Sequence, residues 1–118
     1  MKNRNCRAPD ASFVPKARLE AIGFRPRSRN FFPGAPDLAI EVLAPRKRRP
    51  EVERRLKDFF SSGTKLAWII DPEEECAEVC HSLTDRRLVG PGGVLDGEQL
   101  LPGFKLPLDE LFKDSVWE

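Results

Sequence analysis

The cleanest alternation of apolar and polar positions runs from Asp37 to Val42, inside a stretch bounded by Pro36 and Pro45. Leu38, Ile40 and Val42 fall on one face of an extended chain, and Asp37, Ala39 and Glu41 on the other. The pattern predicts a strand that is apolar on one side and acidic on the other. Such a strand can carry a metal site on a sheet surface, or its acids can simply face water, the commoner fate of carboxylates. Further on the period changes. Val52, Leu56, Phe59 and Phe60 recur at i, i+4, i+7 and i+8, the stripe of an amphipathic helix. Pro50 suits its first residue, Glu51 and Glu53 suit the positive end of its dipole, and Gly63 closes it at Ser62. The continuous run Leu66-Ala67-Trp68-Ile69-Ile70, stopped by Asp71-Pro72, then predicts a buried strand with Trp68 in the core. Residues 37–70 thus form a strand, a helix and a strand, for which a right-handed crossover and parallel strands are expected.

Around this unit the signals are shorter. Ala11 to Val14, preceded by Pro9-Asp10 and stopped by Pro15, reads as a short strand. Residues 16–23 have the weak periodicity of a helical turn, and Phe24 to Ala35 read as a loop rich in proline and arginine. Glu75–His81 and Arg86–Val89 predict an antiparallel hairpin. Gly90–Gly93 is a turn that matches neither a P-loop nor a dinucleotide fingerprint. Val94–Leu101 contains a short strand, and Leu108–Phe112 a terminal helical turn. The fold class expected is α/β, built on a central mixed sheet.

Composition narrows the picture. With 118 residues, 40% hydrophobic and 33% charged, the chain is expected to form one globular domain over residues 1–118. The net charge of +1 excludes a global field that would draw in nucleic acid. The basic residues are unevenly placed, however. Arg25, Arg27, Arg29, Arg46, Lys47, Arg48 and Arg49 flank the acidic strand, and Arg54, Arg55 and Lys57 follow. They read either as solvated loops or as a rim that contacts phosphates, with Arg46, Lys47, Arg48 and Arg49 steering DNA. No stretch approaches the roughly 20 apolar residues of a membrane span, and the start lacks the apolar core of a secretory signal. Three cysteines at irregular spacing do not make a disulfide framework, so a cytoplasmic protein with reduced thiols is expected. Cys76 and Cys80 would lie about 13 Å apart along a strand at ~3.3 Å per residue, too far to share a zinc ion, and His81 would point the other way. Trp117 has no periodic context and reads as a contact with another chain.

The Pro-Asp opening occurs twice, in Pro9-Asp10-Ala11-Ser12-Phe13-Val14 and in Pro36-Asp37-Leu38-Ala39-Ile40-Glu41-Val42-Leu43-Ala44-Pro45. With the helix closing at Gly63, the run Leu66–Pro72 and the ending Leu101-Pro102-Gly103-Phe104-Lys105-Leu106 with Leu111-Phe112, this order resembles the Uma family of putative restriction endonucleases. The likeness covers about residues 7–112. It implies a PD-(D/E)XK nuclease-like fold and magnesium-dependent cleavage of DNA. The family's catalytic lysine lies two residues after the glutamate or on the following helix. Here the first position is Leu43 and the second Arg55, with Lys57 as the fallback. Relatives also carry a helix and a hairpin before the first Pro-Asp strand, so this chain reads as truncated at its N-terminus, without the acid that helix supplies.

The residues give the same site a chemistry of its own. Magnesium prefers one or two carboxylates plus waters and substrate phosphate, and manganese can take its place. Asp37 and Glu41 would lie about 13 Å apart at ~3.3 Å per residue and cannot easily share one ion. Asp10, on a neighbouring strand about 4.8 Å away, is the better partner for Glu41. The expected metal ligands are therefore Asp10 and Glu41, with Asp37 in an outer-shell or capping role; the resemblance to the family adds Arg55 or Lys57 on the scissile phosphate. Two functions compete: a magnesium-dependent DNA endonuclease or its degenerate descendant, and a non-catalytic remnant of the fold that binds or assembles. A truncated sheet would expose an edge, through which, or through the uncovered face, a homodimer is expected.

Overall fold

A computed structural model describes residues 10–14, 35–45 and 48–113 of the chain. The helical turn expected at 16–23, most of the loop at 24–35, the basic residues Arg25, Arg27, Arg29, Arg46 and Lys47, and Trp117 lie outside the described residues.

Five strands form one sheet in chain order: β1 (Ala11–Phe13), β2 (Leu38–Val42), β3 (Leu66–Asp71), β4 (Cys76–Cys80) and β5 (Arg86–Val89). β2 and β3 are parallel, joined by the helix α1 (Arg49–Ser61), while β1 runs antiparallel to β2 and β3–β4–β5 form an antiparallel meander. The expected α/β architecture with a mixed sheet and a strand–helix–strand core is therefore present. Beyond it, β6 (Val94–Asp96) pairs antiparallel with β7 (Lys105–Pro107), followed by the one-turn helix α2 (Leu108–Phe112). Three residues between a glycine turn and a proline carry too short a pattern to announce β7, and the sequence reading leaves it out.

The central strands β2, β3 and β4 are largely buried on both faces, which the alternation in β2 does not suggest, whereas β1 and much of β5 are exposed. Leu38, Trp68, Ile70, Val79 and Val89 form one core cluster, closed by Leu95 of β6 and Leu108 of α2. On the other face, Val52 and Leu56 of α1 pack on Ala67, Ile69 and Cys80. Phe59 is also buried, and Phe60 packs at the margin of this cluster. The face of β2 that bears Ala39 and Glu41 does not meet water: both residues are fully buried. The simple solvated-acid reading of this strand therefore fails. An alternation pattern reports which face is more apolar, not whether a helix lies over the other one.

The helix ends where the glycine places it. The Ser62 N–H donates to the Asp58 and Phe59 carbonyls at 3.1 Å, and Gly63 takes φ of 115°, a left-handed conformation that glycine adopts without steric cost. Its start lies one residue earlier than expected, with Arg48 extended at the N-cap, Arg49 opening the helix and Pro50 in the first turn. Arg49 is thus a helical residue, not part of a basic loop.

Candidate active site

Asp10 and Arg55 both bond to residues at the C-terminal end of β2, the first to the Val42 backbone and the second to Glu41. Ala11 pairs with Ile40 and Ser12 with Ala39, so continuing that register places Asp10 opposite Glu41. The Asp10 carboxylate takes over the ladder at this point: its Oδ2 accepts the Val42 backbone N–H at 2.6 Å. An aspartate just before a strand suits this arrangement, because its short carboxylate can bond a neighbouring backbone N–H.

Glu41 projects under α1 and has no exposed surface. Burying a carboxylate is costly unless it is paired and hydrogen-bonded. Arg55 meets that need: its Nε donates to Glu41 Oε1 at 2.8 Å and its Nη2 to Oε2 at 3.5 Å. The helix explains the reach. Arg55 stands three residues after Val52 and immediately before Leu56, on the flank of the buried stripe, and its guanidinium lies 5.7 Å from the centroid of the Phe59 ring. Lys57, two residues on, is exposed.

The remaining candidates are placed apart from this cluster. Asp37 is buried at the opposite end of β2, where its N–H donates to the Phe13 carbonyl and its own carbonyl accepts from Lys65 and Leu66, each at 3.0 Å. Its carboxylate lies 3.7 Å from Lys65 Nζ. Arg48 is exposed, whereas Arg49 points along the sheet to Glu78 at 2.8 Å and Glu53 at 3.6 Å.

Arg49 belongs to a second charged group that the sequence reading missed. Arg86 of β5 grips Glu53 of α1 with both terminal nitrogens, at 2.6 and 2.7 Å, and fastens the helix to the far side of the sheet. The Arg86 hydrogen bonds hold the Glu53 carboxyl below its ordinary range, and the same contact pushes the Arg86 guanidinium higher still. Nothing in the local sequence links residues 53 and 86; only the β4–β5 register brings them together.

The cysteines and the histidine separate as the strand spacing requires. Cys80 packs under α1, and burial pushes its thiol up to about 11. Burial, with Asp71 and Glu74 nearby, also raises the Cys76 thiol. His81 turns away, its Nε2 2.9 Å from Glu98 Oε1. Among the described residues no group of three or more His, Cys, Asp or Glu side chains is arranged to hold a metal ion. A cation at the end of β2 would therefore rest on Asp10 and Glu41 with waters and substrate oxygens. Two hard carboxylates suit magnesium in that role.

The chain thus combines a mixed five-stranded sheet with a helix packed on one face. It is similar to the crystal structure of a putative nuclease belonging to DUF820 from Anabaena variabilis ATCC 29413, with a TM-score of 0.75 and 25% identity. The match covers 91% of this chain and 60% of that one, so the chain spans less than two thirds of that protein's length. The family model of the Uma2 proteins, described as putative restriction endonuclease, matches residues 1–109, and the chain belongs to that family. No curated protein matches it. No described helix is long and apolar enough to cross a membrane.

Proposed function

We propose that the chain is a magnesium-dependent DNA endonuclease core that hydrolyses phosphodiesters. The observation that carries this reading is the meeting of three elements at the end of β2. Asp10 bonds the Val42 N–H, Glu41 stands one residue before Val42, and Arg55 reaches Glu41 from α1. Asp10 and Glu41 would hold the magnesium ion, for which manganese can substitute. When bound, the ion supplies an activated water and positive charge for the phosphate. Arg55 offers donors that match a phosphate, and the exposed Lys57 is the fallback for that contact. Asp37 acts from the outer shell by fixing the start of β2. Arg46, Lys47, Arg48 and Arg49 steer the DNA backbone locally, since the net charge of +1 provides no long-range pull. The protein works in the cytoplasm as a single domain over residues 1–118. It pairs with a second copy through the outer edge of β1 or an uncovered face of the sheet, which sedimentation equilibrium would register as twice the 13.4 kDa chain mass.

A second reading has one observation in its favour. Glu41 already has a cation of its own, as it would in a non-catalytic nuclease fold that serves as a binding or assembly module. Supercoiled plasmid separates the two. With millimolar magnesium or manganese the protein nicks or linearises it, and folded Asp10→Asn and Glu41→Gln variants do not. A folded protein that leaves plasmid intact with either ion overturns the nuclease reading.

A further inference from the structure

Glu41 is a fully buried carboxylate whose counter-charge is built into the chain. One guanidinium spans both of its oxygens, at 2.8 and 3.5 Å. A guanidinium presents a rigid, planar fork of donors that matches a carboxylate. The Arg55 side chain is only 13% exposed, so water does little to dilute the pairing. The position that a divalent cation would take on Glu41 therefore already carries a full positive charge. Asp10 and Glu41 together offer a formal charge of −2, but with Arg55 the three sum to −1. Phe59 supports the guanidinium from the helix side, at 5.7 Å from its ring centroid, and so favours the paired arrangement over a free one.

We propose, on the reading that Asp10 and Glu41 form one cation site, that Arg55 competes with the divalent cation for Glu41 and thereby sets the metal affinity of the site. The ion reaches Glu41 only as Arg55 releases at least one of its oxygens. A lysine at the same position would compete less. Its compact ammonium meets a carboxylate at a point and cannot span both oxygens with a rigid fork.

Manganese alone, titrated into the protein without DNA, tests this through the loss of the free-ion electron paramagnetic resonance signal. Arg55→Gln keeps a hydrogen-bond donor and removes the charge. It should bind one manganese ion roughly tenfold more tightly than the natural chain, or better, given how strongly charges this close interact in a part-buried site. Arg55→Lys should fall between the two, and the gain should vanish in the Glu41→Gln/Arg55→Gln double variant. Circular dichroism accompanies each titration. If Arg55→Gln folds poorly by itself, manganese should restore its spectrum, and Arg55→Lys supplies the affinity. Equal or weaker binding in both single variants overturns the proposal, as does a gain that survives Glu41→Gln. Because no DNA is present, failure to cut plasmid and failure of this competition are read separately.

Discussion

Arg55→Met asks how much of the helix–sheet contact depends on one ion pair. The substitution keeps an unbranched apolar stem near Phe59 but leaves Glu41, whose side chain is 0% exposed, without this guanidinium. Breaking a buried pair by removing one partner costs about 3–5 kcal/mol, because the remaining charge is left desolvated. Arg55 itself is 13% exposed, so some water can reach the vacated side, and the low end of that range, about 3 kcal/mol, is expected. Against a domain stability of about 5–15 kcal/mol that is a large share. For a chain of this size it corresponds to a fall in Tm of roughly 12 °C. The companion variant Glu41→Leu/Arg55→Met removes both charges and should recover most of the loss, since apolar replacement of a buried pair is often neutral or stabilising. Urea titrations followed by far-ultraviolet circular dichroism, with chelator present, give both values and, with Glu41→Leu alone as the third variant, the coupling between the sites. A loss below ~1 kcal/mol for Arg55→Met at unchanged m-value would refute the reasoning, because it would mean that the buried Glu41 charge does not depend on this guanidinium.

Other consequences follow from the same packing. Phe59→Ala, which empties a buried position of the α1 stripe, should cost about 3–5 kcal/mol in the same denaturation assay, and a cost under ~1 kcal/mol would place the ring in solvent. Glu53 has its carboxyl lowered by Arg86, so the pair contributes stability above the ordinary value of 4.5 and loses it as the pH falls through the folded-state value. Glu53→Gln should therefore flatten the acid side of the stability–pH curve. The change should be modest, because the Glu53 side chain is 37% exposed; a curve identical to that of the natural chain would deny the pair any role. With its thiol pushed up to about 11, Cys80 should resist Ellman's reagent at mildly alkaline pH in the folded protein and react once urea unfolds it. Rapid labelling of Cys80 in the native state would contradict its burial under α1.

The parts of the fold that could be read from sequence are those with a long, unmixed period. The α1 stripe and the unbroken run of β3 each specify one element with little ambiguity, and a helix between two strands implies that β2 and β3 are parallel. β7 is invisible because three residues establish no period, and its partner is set by contact with β6. The site divides along the same line. Strand spacing suffices to set Asp37 apart from Glu41 at ~3.3 Å per residue, whereas Asp10 comes opposite Glu41 only through the β1–β2 register. Helix phase allows Arg55 to reach the sheet and turns Lys57 outward. What local sequence does not carry is the depth of Glu41 under α1, its pairing with both ends of the Arg55 fork, and the bridge from Arg86 to Glu53. Each depends on two elements distant in the chain and on the angle at which they pack.

The claim at the centre of this account is that Asp10 and Glu41 serve one cation. Crystals of the protein grown with millimolar manganese and a short DNA duplex, measured at the manganese absorption edge, address it most directly. An anomalous peak within first-coordination distance, roughly 2 Å, of carboxylate oxygens from both residues, with Arg55 displaced from at least one Glu41 oxygen, is the predicted result. Manganese bound at other carboxylates while Arg55 still spans Glu41, or a well-ordered complex with no peak at the end of β2, would contradict it.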